Sequence, residues 1–250
     1  MRAVGLRGSF DAIANDYDDL WSNAGAGYCQ RRAVWEAIQP LFRRGDHVLD
    51  VGCGTGEDAV FLIESGVKVR ALDASREMVH VARSKGVFAE QLAAEQLDQL
   101  EGSYDGAISN FGVLNCISDL QRLAKQLARL VKSGGHLALC YMGKFCAWET
   151  AYYLRSGQFQ KATRRWSFQP APTSLGVDVQ YPSVHSVSQA FHPEFRLLNW
   201  KGIGILVPPS YIRRFHRTRV ASLARIDGRI AHMPVLRALS DHRLLIFERV

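Results

Sequence analysis

Gly52, Gly54 and Gly56 fall at every second position between a short apolar run and a helical one, and Asp73 stands 21 residues beyond the first of them. Glycine admits left-handed dihedrals and lets the backbone approach a ligand closely. The loop amides and the N-terminus of the next helix offer N–H donors and a positive dipole end to an anionic group. A carboxylate at the end of the second strand can accept from two ribose hydroxyls, at close to the roughly 20-residue spacing of a dinucleotide fingerprint. These residues read as a nucleotide-type site. The sixth position of that fingerprint calls for a small residue, so that helix and strand pack closely. Here it is Glu57, a large acid and a poor neighbour for a pyrophosphate. A ligand with one carboxylate and a cationic centre suits it better, which disfavours a dinucleotide-dependent oxidoreductase.

Proton-transfer candidates are sparser. Glu149, His185, His192 and His216 could serve as a base, but none sits in a spacing that marks a catalytic pair, and no catalytic residue is assigned. Five cysteines, an odd number without metal-like clustering, read as reduced thiols of a cytoplasmic protein, and no metal is expected. No apolar run reaches the roughly 18 residues of a membrane helix, and residues 1–15 show no secretory signal.

Periodicity predicts the elements that must position these residues. Strands are expected at 47–51, 67–72, 87–92, 106–110 and 136–142, as short apolar or β-branched runs. Helices are expected at 57–65, 75–85 with Ser75 as N-cap, and 119–131. An earlier helix, 28–42, carries Val34, Ile38 and Leu41 as one stripe with Arg31 a turn before them. A charge on an inward face needs a partner.

With these elements in place, VLDVGCGTG followed by ALDAS resembles the first two motifs of class I S-adenosylmethionine-dependent methyltransferases. Phe10-Asp11, Tyr17-Asp18 and Trp21 resemble the opening of the small-molecule type, and LARLVKSGGHLAL resembles the approach to its fifth strand. The likeness is collinear over about 130 residues, to Met142. It implies a Rossmann-like, doubly wound α/β sheet of seven strands, mostly parallel with one antiparallel strand. Residues 195–200 and 242–249 would complete it, with a helix at 211–233 between them.

It also implies S-adenosylmethionine as cofactor, with S-adenosylhomocysteine as product. Gly52, Cys53, Gly54, Gly56, Asp73, Ala74 and Tyr17 would line its site. Arg31 would meet the methionine carboxylate, with a structural ion pair as the alternative role. Met78 would lie beside the adenine, and Asn110 and Phe111 would border the end where the methyl leaves. The family's Asp-Ala-x-x-Leu, whose Asp meets adenine, reads here as Ala93-Ala94-Glu95-Gln96-Leu97. Ala94 would serve through its backbone, and Glu95 or Gln96 would supply the lost acceptor.

The single domain divides into N-terminal helices (1–45), a cofactor-binding core (46–142), a cap inserted after strand five (143–185) and C-terminal strands with a basic helix (186–250). The cap is aromatic-rich, and Phe145, Trp148, Glu149 and Tyr152 are expected in the substrate pocket. Residues 1–150 have a charge balance of −3 and residues 151–250 one of +10, an asymmetry that argues about partners rather than fold. Arg213 and Arg217, then Arg225 and Arg229, form i,i+4 pairs. The expected function is methyl transfer to a small-molecule acceptor, apolar with an anionic group. Peripheral contact with a membrane or another anionic surface stays open. A non-catalytic S-adenosylmethionine-binding protein is the alternative; an RNA methyltransferase ranks lowest, and DNA is not expected.

Overall fold

Parallel strands buried on both faces need helices on both sides, and the chain supplies them. The structure, a computed structural model, describes residues 10–23, 25–167, 169–172, 177–212 and 216–250. Seven strands form one sheet: β1 (His47–Val51), β2 (Lys68–Asp73), β3 (Ala89–Gln91), β4 (Tyr104–Ser109), β5 (Val131–Met142), β6 (Phe195–Ile203) and β7 (His242–Arg249). Their order is β3-β2-β1-β4-β5-β7-β6. The first five pair in parallel, while β7 runs antiparallel to both β5 and β6, so that it alone opposes the rest. The expected sheet is the observed one.

The α-helices of five or more residues are α1 (Gly25–Ile38), α2 (Glu57–Glu64), α3 (Arg76–Ser84), α4 (Leu120–Leu130), α5 (Ala147–Arg155), α6 (Phe159–Thr163), α7 (Val184–Phe191) and α8 (Arg217–Ile230) among the described residues. Caps fall where the residue types placed them: Ser75 Oγ accepts from the Met78 amide at 3.1 Å, and Asp119 Oδ1 from the Arg122 amide at 2.9 Å. Most boundaries shift by a few residues, the early helix to Gly25–Ile38 and the third strand to Ala89–Gln91 among them, and two differ more. The fifth strand begins at Val131, which pairs with Tyr104 before the register jumps to Gly106 opposite His136. The Ser133-Gly134-Gly135 turn is thus an irregularity inside the strand rather than a gap before it. The last helix is shorter than 211–233, running Arg217–Ile230.

Alternation along the strands sorts the core into two layers. Leu49, Val51, Leu139, Tyr141, Leu245 and Phe247 pack with Leu123 and Leu127 of α4 and Val187 and Phe191 of α7. Val48, Ala71, Ile108, Cys140, Leu244 and Ile246 pack with Val34 and Ile38 of α1, Leu62 of α2 and Val79 of α3. The same two-residue period carries Asp50, Asp73, Asn110, Met142 and His242 to the α1–α3 side. Among the described residues no helix is long and apolar enough to cross a membrane.

Candidate active site

The order of the sheet reverses between β1 and β4, and their carboxyl ends open a crevice there, as in other doubly wound sheets. The glycine loop forms its floor, but four of its amides are already committed. Gly52 N and Cys53 N donate to the Leu72 carbonyl at 2.7 and 2.9 Å, and Gly56 N to that of Cys53 at 3.0 Å. Gly54 N donates to Asp73 Oδ2 at 2.8 Å. Three of these amides close the loop onto β2 and that of Gly56 closes it on itself, rather than serve an anionic ligand, which corrects the expectation for them. The glycines supply shape instead. Gly52 has φ +75°, and a Cβ there would lie 2.2 Å from Val113 Cγ2, whereas one at Gly54 would meet nothing within 4 Å.

Gly56 does not line the cleft. Its absent Cβ would sit 3.0 Å from that of Ala82, so it lets α2 approach α3. Asp73 accepts the Ser75 amide on Oδ1 at 2.9 Å and Gly54 N on Oδ2, and each oxygen keeps a further lone pair. Burial raises its carboxyl pKa, against the lowering by these backbone bonds.

The acid that enters the cleft from α2 is Asp58, not Glu57. Successive residues of a helix point about 100° apart, and Glu57 turns away to pair with Lys85 at 2.6 Å. Buried Asp58 accepts from Trp35 Nε1 at 2.6 Å, Asn110 Nδ2 at 3.1 Å and Arg31 Nη1 at 2.7 Å. Arg31 therefore has its inward partner, and its guanidinium also lies 4.7 Å over the Phe111 ring. Asn110 Oδ1 is buried without a partner. Phe111 alone among the described non-glycine residues has a positive φ, 55°.

The N-terminal segment covers this floor through its two Asp residues. Asp11 accepts from Ser75 Oγ at 2.5 Å and from the Glu77 amide at 3.1 Å. Asp18 accepts from Thr55 Oγ1 at 2.6 Å and Lys85 Nζ at 2.5 Å. The FD and YD pairs thus fasten the segment to the starts of α3 and α2. Between these ties Tyr17, whose ring lies 5.0 Å from that of Trp21, reaches the cleft.

The cap presents other residues than those expected. Phe145, Trp148, Glu149 and Tyr152 all lie outside the cleft lining. Phe145 stacks on Trp166, Tyr152 meets Tyr153 edge-on, and Trp148 Nε1 donates to the Leu206 carbonyl at 3.0 Å. Buried Glu149 is clamped by Arg164 Nε and Nη2, both at 2.9 Å, by Arg165 Nε at 3.0 Å and Nη2 at 2.8 Å, and by the Tyr211 hydroxyl at 2.5 Å. Burial alone would raise its pKa, but the two guanidiniums override it and hold the carboxyl at about 2. Both of its oxygens are occupied by these donors, which leaves it turned away from the cleft rather than placed as a base. What the cap does bring to the cleft is Arg164, Arg165, Val177 and Val179.

His185, His192 and His216 are exposed and away from the cleft. The histidine that lines it is His242, the first residue of β7, which the sequence reading passed over. Its ring meets Phe111 edge-on, centroids 5.2 Å apart. Asp241 beside it is buried and bonded to Arg165 Nη2 at 2.8 Å.

Helix α8 contributes position rather than charge. Asp227 accepts the amides of Ile205, Leu206 and Val207 at 3.1, 2.7 and 3.0 Å, fixing the loop that brings Pro209, Ser210 and Tyr211 to the cleft. Arg225 and Arg229 are exposed and outside it. Arg213 lies outside the described residues, and the side chain of Arg217 is likewise not described.

All these surfaces enclose one cleft of about 410 Å³, within the roughly 300–1,000 Å³ of small-molecule sites. Tyr17, Arg31, Gly52, Cys53, Gly54, Asp73, Ala74, Met78, Ala94, Glu95, Asn110 and Phe111 line it together. Its acceptor chemistry fits S-adenosylmethionine: the open lone pairs of Asp73 suit hydroxyl donors, and the orphaned Asn110 Oδ1 suits an N–H donor.

The fold and the cleft define a class I S-adenosylmethionine-dependent methyltransferase. A family model described as a methyltransferase domain matches residues 26–192, more than half of the chain, and the chain belongs to that family. It is 30% identical over 205 residues to the 2-phytyl-1,4-naphtoquinone methyltransferase of Synechococcus elongatus, covering 74% of this chain and 82% of that one. Similarity to the demethylmenaquinone methyltransferase of Symbiobacterium thermophilum is 29% over 188 residues, 66% of this chain and 74% of that one. Against uncharacterized protein MJ1252 of Methanocaldococcus jannaschii identity is 36% over 133 residues, but the match spans only 49% of that protein. A solved S-adenosylmethionine-dependent methyltransferase from Thermotoga maritima superposes with a TM-score of 0.63, covering 98% of this chain and 100% of that one at 17% identity. At that identity the likeness is one of fold.

Proposed function

We propose that the chain transfers a methyl group from S-adenosylmethionine to a neutral, largely apolar small molecule. One observation carries the reading: a single cleft joins the acid and glycines at the ends of β1 and β2 to Asn110, Phe111 and Met142 at the ends of β4 and β5 and to His242 at the start of β7. Bound S-adenosylmethionine would supply an electrophilic methyl on a sulfonium centre. Asp73 would accept from its ribose, Arg31 would hold its carboxylate with the N–H groups that Asp58 leaves, and Ala94 and Glu95 would border its adenine. The segment carrying Tyr17 and Trp21 excludes water from above. Positioning of this kind can supply much of a transfer that disperses charge rather than creating it.

The acceptor side is apolar, lined by Phe111, Met142, Val177, Val179 and Pro209. Each arginine that lines the cleft among the described residues, Arg31, Arg164 and Arg165, already holds a carboxylate. Among the described residues that line the cleft no guanidinium is without a carboxylate, which favours a neutral acceptor over the anionic one expected from the charge of residues 151–250. The two relatives named for quinone-type acceptors are consistent with a flat, apolar compound. Calorimetry with S-adenosylmethionine and with NAD, followed by incubation with methyl-labelled cofactor and a metabolite extract, tests the reading. Binding of the first alone and transfer of label to an extractable small molecule is expected. NAD binding with indifference to S-adenosylmethionine overturns it, and firm cofactor binding without any transfer leaves the non-catalytic alternative.

A further inference from the structure

The antiparallel run of β7 gives the site a residue that parallel strands cannot. Its first residue, His242, stands at the edge where the other strands end, paired across the sheet with Met142 of β5 and Ile203 of β6. Its side chain is 12% exposed and opens on the cleft beside Met142, with its ring against Phe111. Nδ1 is buried and has no hydrogen-bond partner; the nearest carboxylate oxygen, Asp241 Oδ2, is 3.4 Å away. That carboxylate is itself held by Arg165 through Oδ1 at 2.8 Å. Nδ1 facing Asp241 leaves Nε2 as the ring nitrogen available to the cleft.

The other titratable groups lining the cleft are spoken for. Asp58 is saturated by Trp35, Asn110 and Arg31, Asp73 is bonded to two amides, and Asp241 is paired with Arg165. Glu95 follows β3, with β2, β1, β4 and β5 between it and the strand of His242. Burial pushes the Cys53 and Cys116 thiols up, the latter to about 11, and raises the Tyr17 and Tyr211 hydroxyls as well.

We propose that His242, with the Asp241 carboxylate 3.4 Å from its Nδ1, is the general base of the reaction, and that the acceptor is therefore of the phenol or enol class, a neutral molecule whose reacting group must shed a proton. This rests on the methyl-transfer reading above. The acceptor's electron pair forms the bond to the methyl carbon as the carbon–sulfur bond breaks, and that bond's electrons stay on sulfur. The acceptor's proton passes to Nε2 and then to solvent, leaving imidazolium as the transient charged species. A neutral amine acceptor needs no such base before transfer, and a carboxylate has no proton to give up.

The surroundings keep the imidazole in its basic form. Burial lowers its pKa below the ordinary 6.5; Asp241 pulls the other way, and Arg165, Arg243 and Arg31 reinforce the lowering. A base with a lowered pKa is active above that value and lost as pH falls through it. The acid limb of the rate profile therefore lies below pH 6.5.

The test uses the full chain, with catechol and naphthol as acceptor probes. Replacement His242→Gln should lower single-turnover methyl transfer to them by roughly 100- to 10,000-fold and abolish the acid limb. Affinity for S-adenosylmethionine by calorimetry should stay within about threefold. In histidine-labelled protein, one imidazole resonance that disappears in the variant should titrate below pH 6.5 and shift when naphthol is added with S-adenosylhomocysteine. Turnover within about fivefold of the parent with an unchanged pH profile overturns the proposal. So does an imidazole that ignores naphthol, or label that goes only to amines; both leave the methyltransferase reading standing. Absence of S-adenosylmethionine binding to the parent protein overturns both.

Discussion

Removing the Glu149 carboxylate should destabilise the protein more than any other change in the cap. Glu149 is 1% exposed and is shared by Arg164, Arg165 and the Tyr211 hydroxyl. Replacing it with alanine strands Arg165, itself 4% exposed, with only Asp241 as a counterion. Losing one partner of a buried ion pair costs about 3–5 kcal/mol. Titration supplies a second route to the magnitude. The carboxyl is held at about 2 against an ordinary 4.5, a difference that corresponds to about 3 kcal/mol. A depressed carboxylate contributes stability that is fully present above its unfolded pKa and is lost as pH falls through its folded one. The contribution should therefore be whole above pH 4.5 and gone near pH 2.

For a chain of this size 1 kcal/mol shifts Tm by about 2–4 °C, so Glu149→Ala should melt roughly 6–20 °C lower at neutral pH. Urea unfolding of parent and Glu149→Gln at a series of pH values would measure the gap directly. It should be about 3 kcal/mol at neutral pH and close between pH 4.5 and 2. A gap under about 1 kcal/mol, or one that does not change with pH, would refute the reasoning.

Asp73→Ala should weaken S-adenosylmethionine binding by about 1–3 kcal/mol in calorimetry, because ribose hydroxyls lose an acceptor and the Gly54 and Ser75 amides lose theirs. If Arg31 holds the methionine carboxylate while pairing with Asp58, Arg31→Ala should reduce affinity for S-adenosylmethionine more than for adenosine; equal losses would assign it to Asp58 alone. A neutral acceptor predicts a Michaelis constant that stays flat as salt is raised from about 0.05 to 0.5 M, a range over which exposed charge attraction is largely screened. A constant that rises with salt would restore the anionic acceptor. Asp18→Ala frees Thr55 and Lys85 and loosens the segment bearing Tyr17, and should raise the cofactor dissociation rate by about fivefold in stopped flow.

The parts of the fold that were legible from sequence are those where local chemistry and global position coincide. The run into Gly52 could only be a buried strand and its turn, and Asp73 ends a strand whose partner the glycine loop specifies. Direction and helical phase were not legible in the same way. Glu57 and Asp58 are adjacent acids, and which of them meets the cleft depends on how α2 docks. The aromatics of α5 have the composition of a pocket, but they pack beside Glu149 and the arginines from later in the chain that clamp it, and the cap turns Arg164, Arg165, Val177 and Val179 to the cleft instead. His242 opens a strand that reads as ordinary sheet. Only the reversal of β7 makes its beginning, rather than its end, part of the site. The loop amides misled for a related reason: a glycine loop signals close approach, and here the near neighbour is β2.

Phe111 combines a backbone in the left-handed region with a ring that serves two neighbours at once, the Arg31 guanidinium on its face and the His242 imidazole at its edge. A non-glycine residue held there stores about 1–3 kcal/mol. Glycine would relieve that cost, and Gly112 immediately after it, at φ +108°, shows that the turn accepts glycine. Glycine at position 111 would trade that relief against the packing of the ring on the core, and would remove the partition that sets the angle between a cation gripping one ligand and an imidazole facing another. The strained backbone is thus kept for the sake of the ring, and a change at this one residue should disturb turnover more than it disturbs the fold.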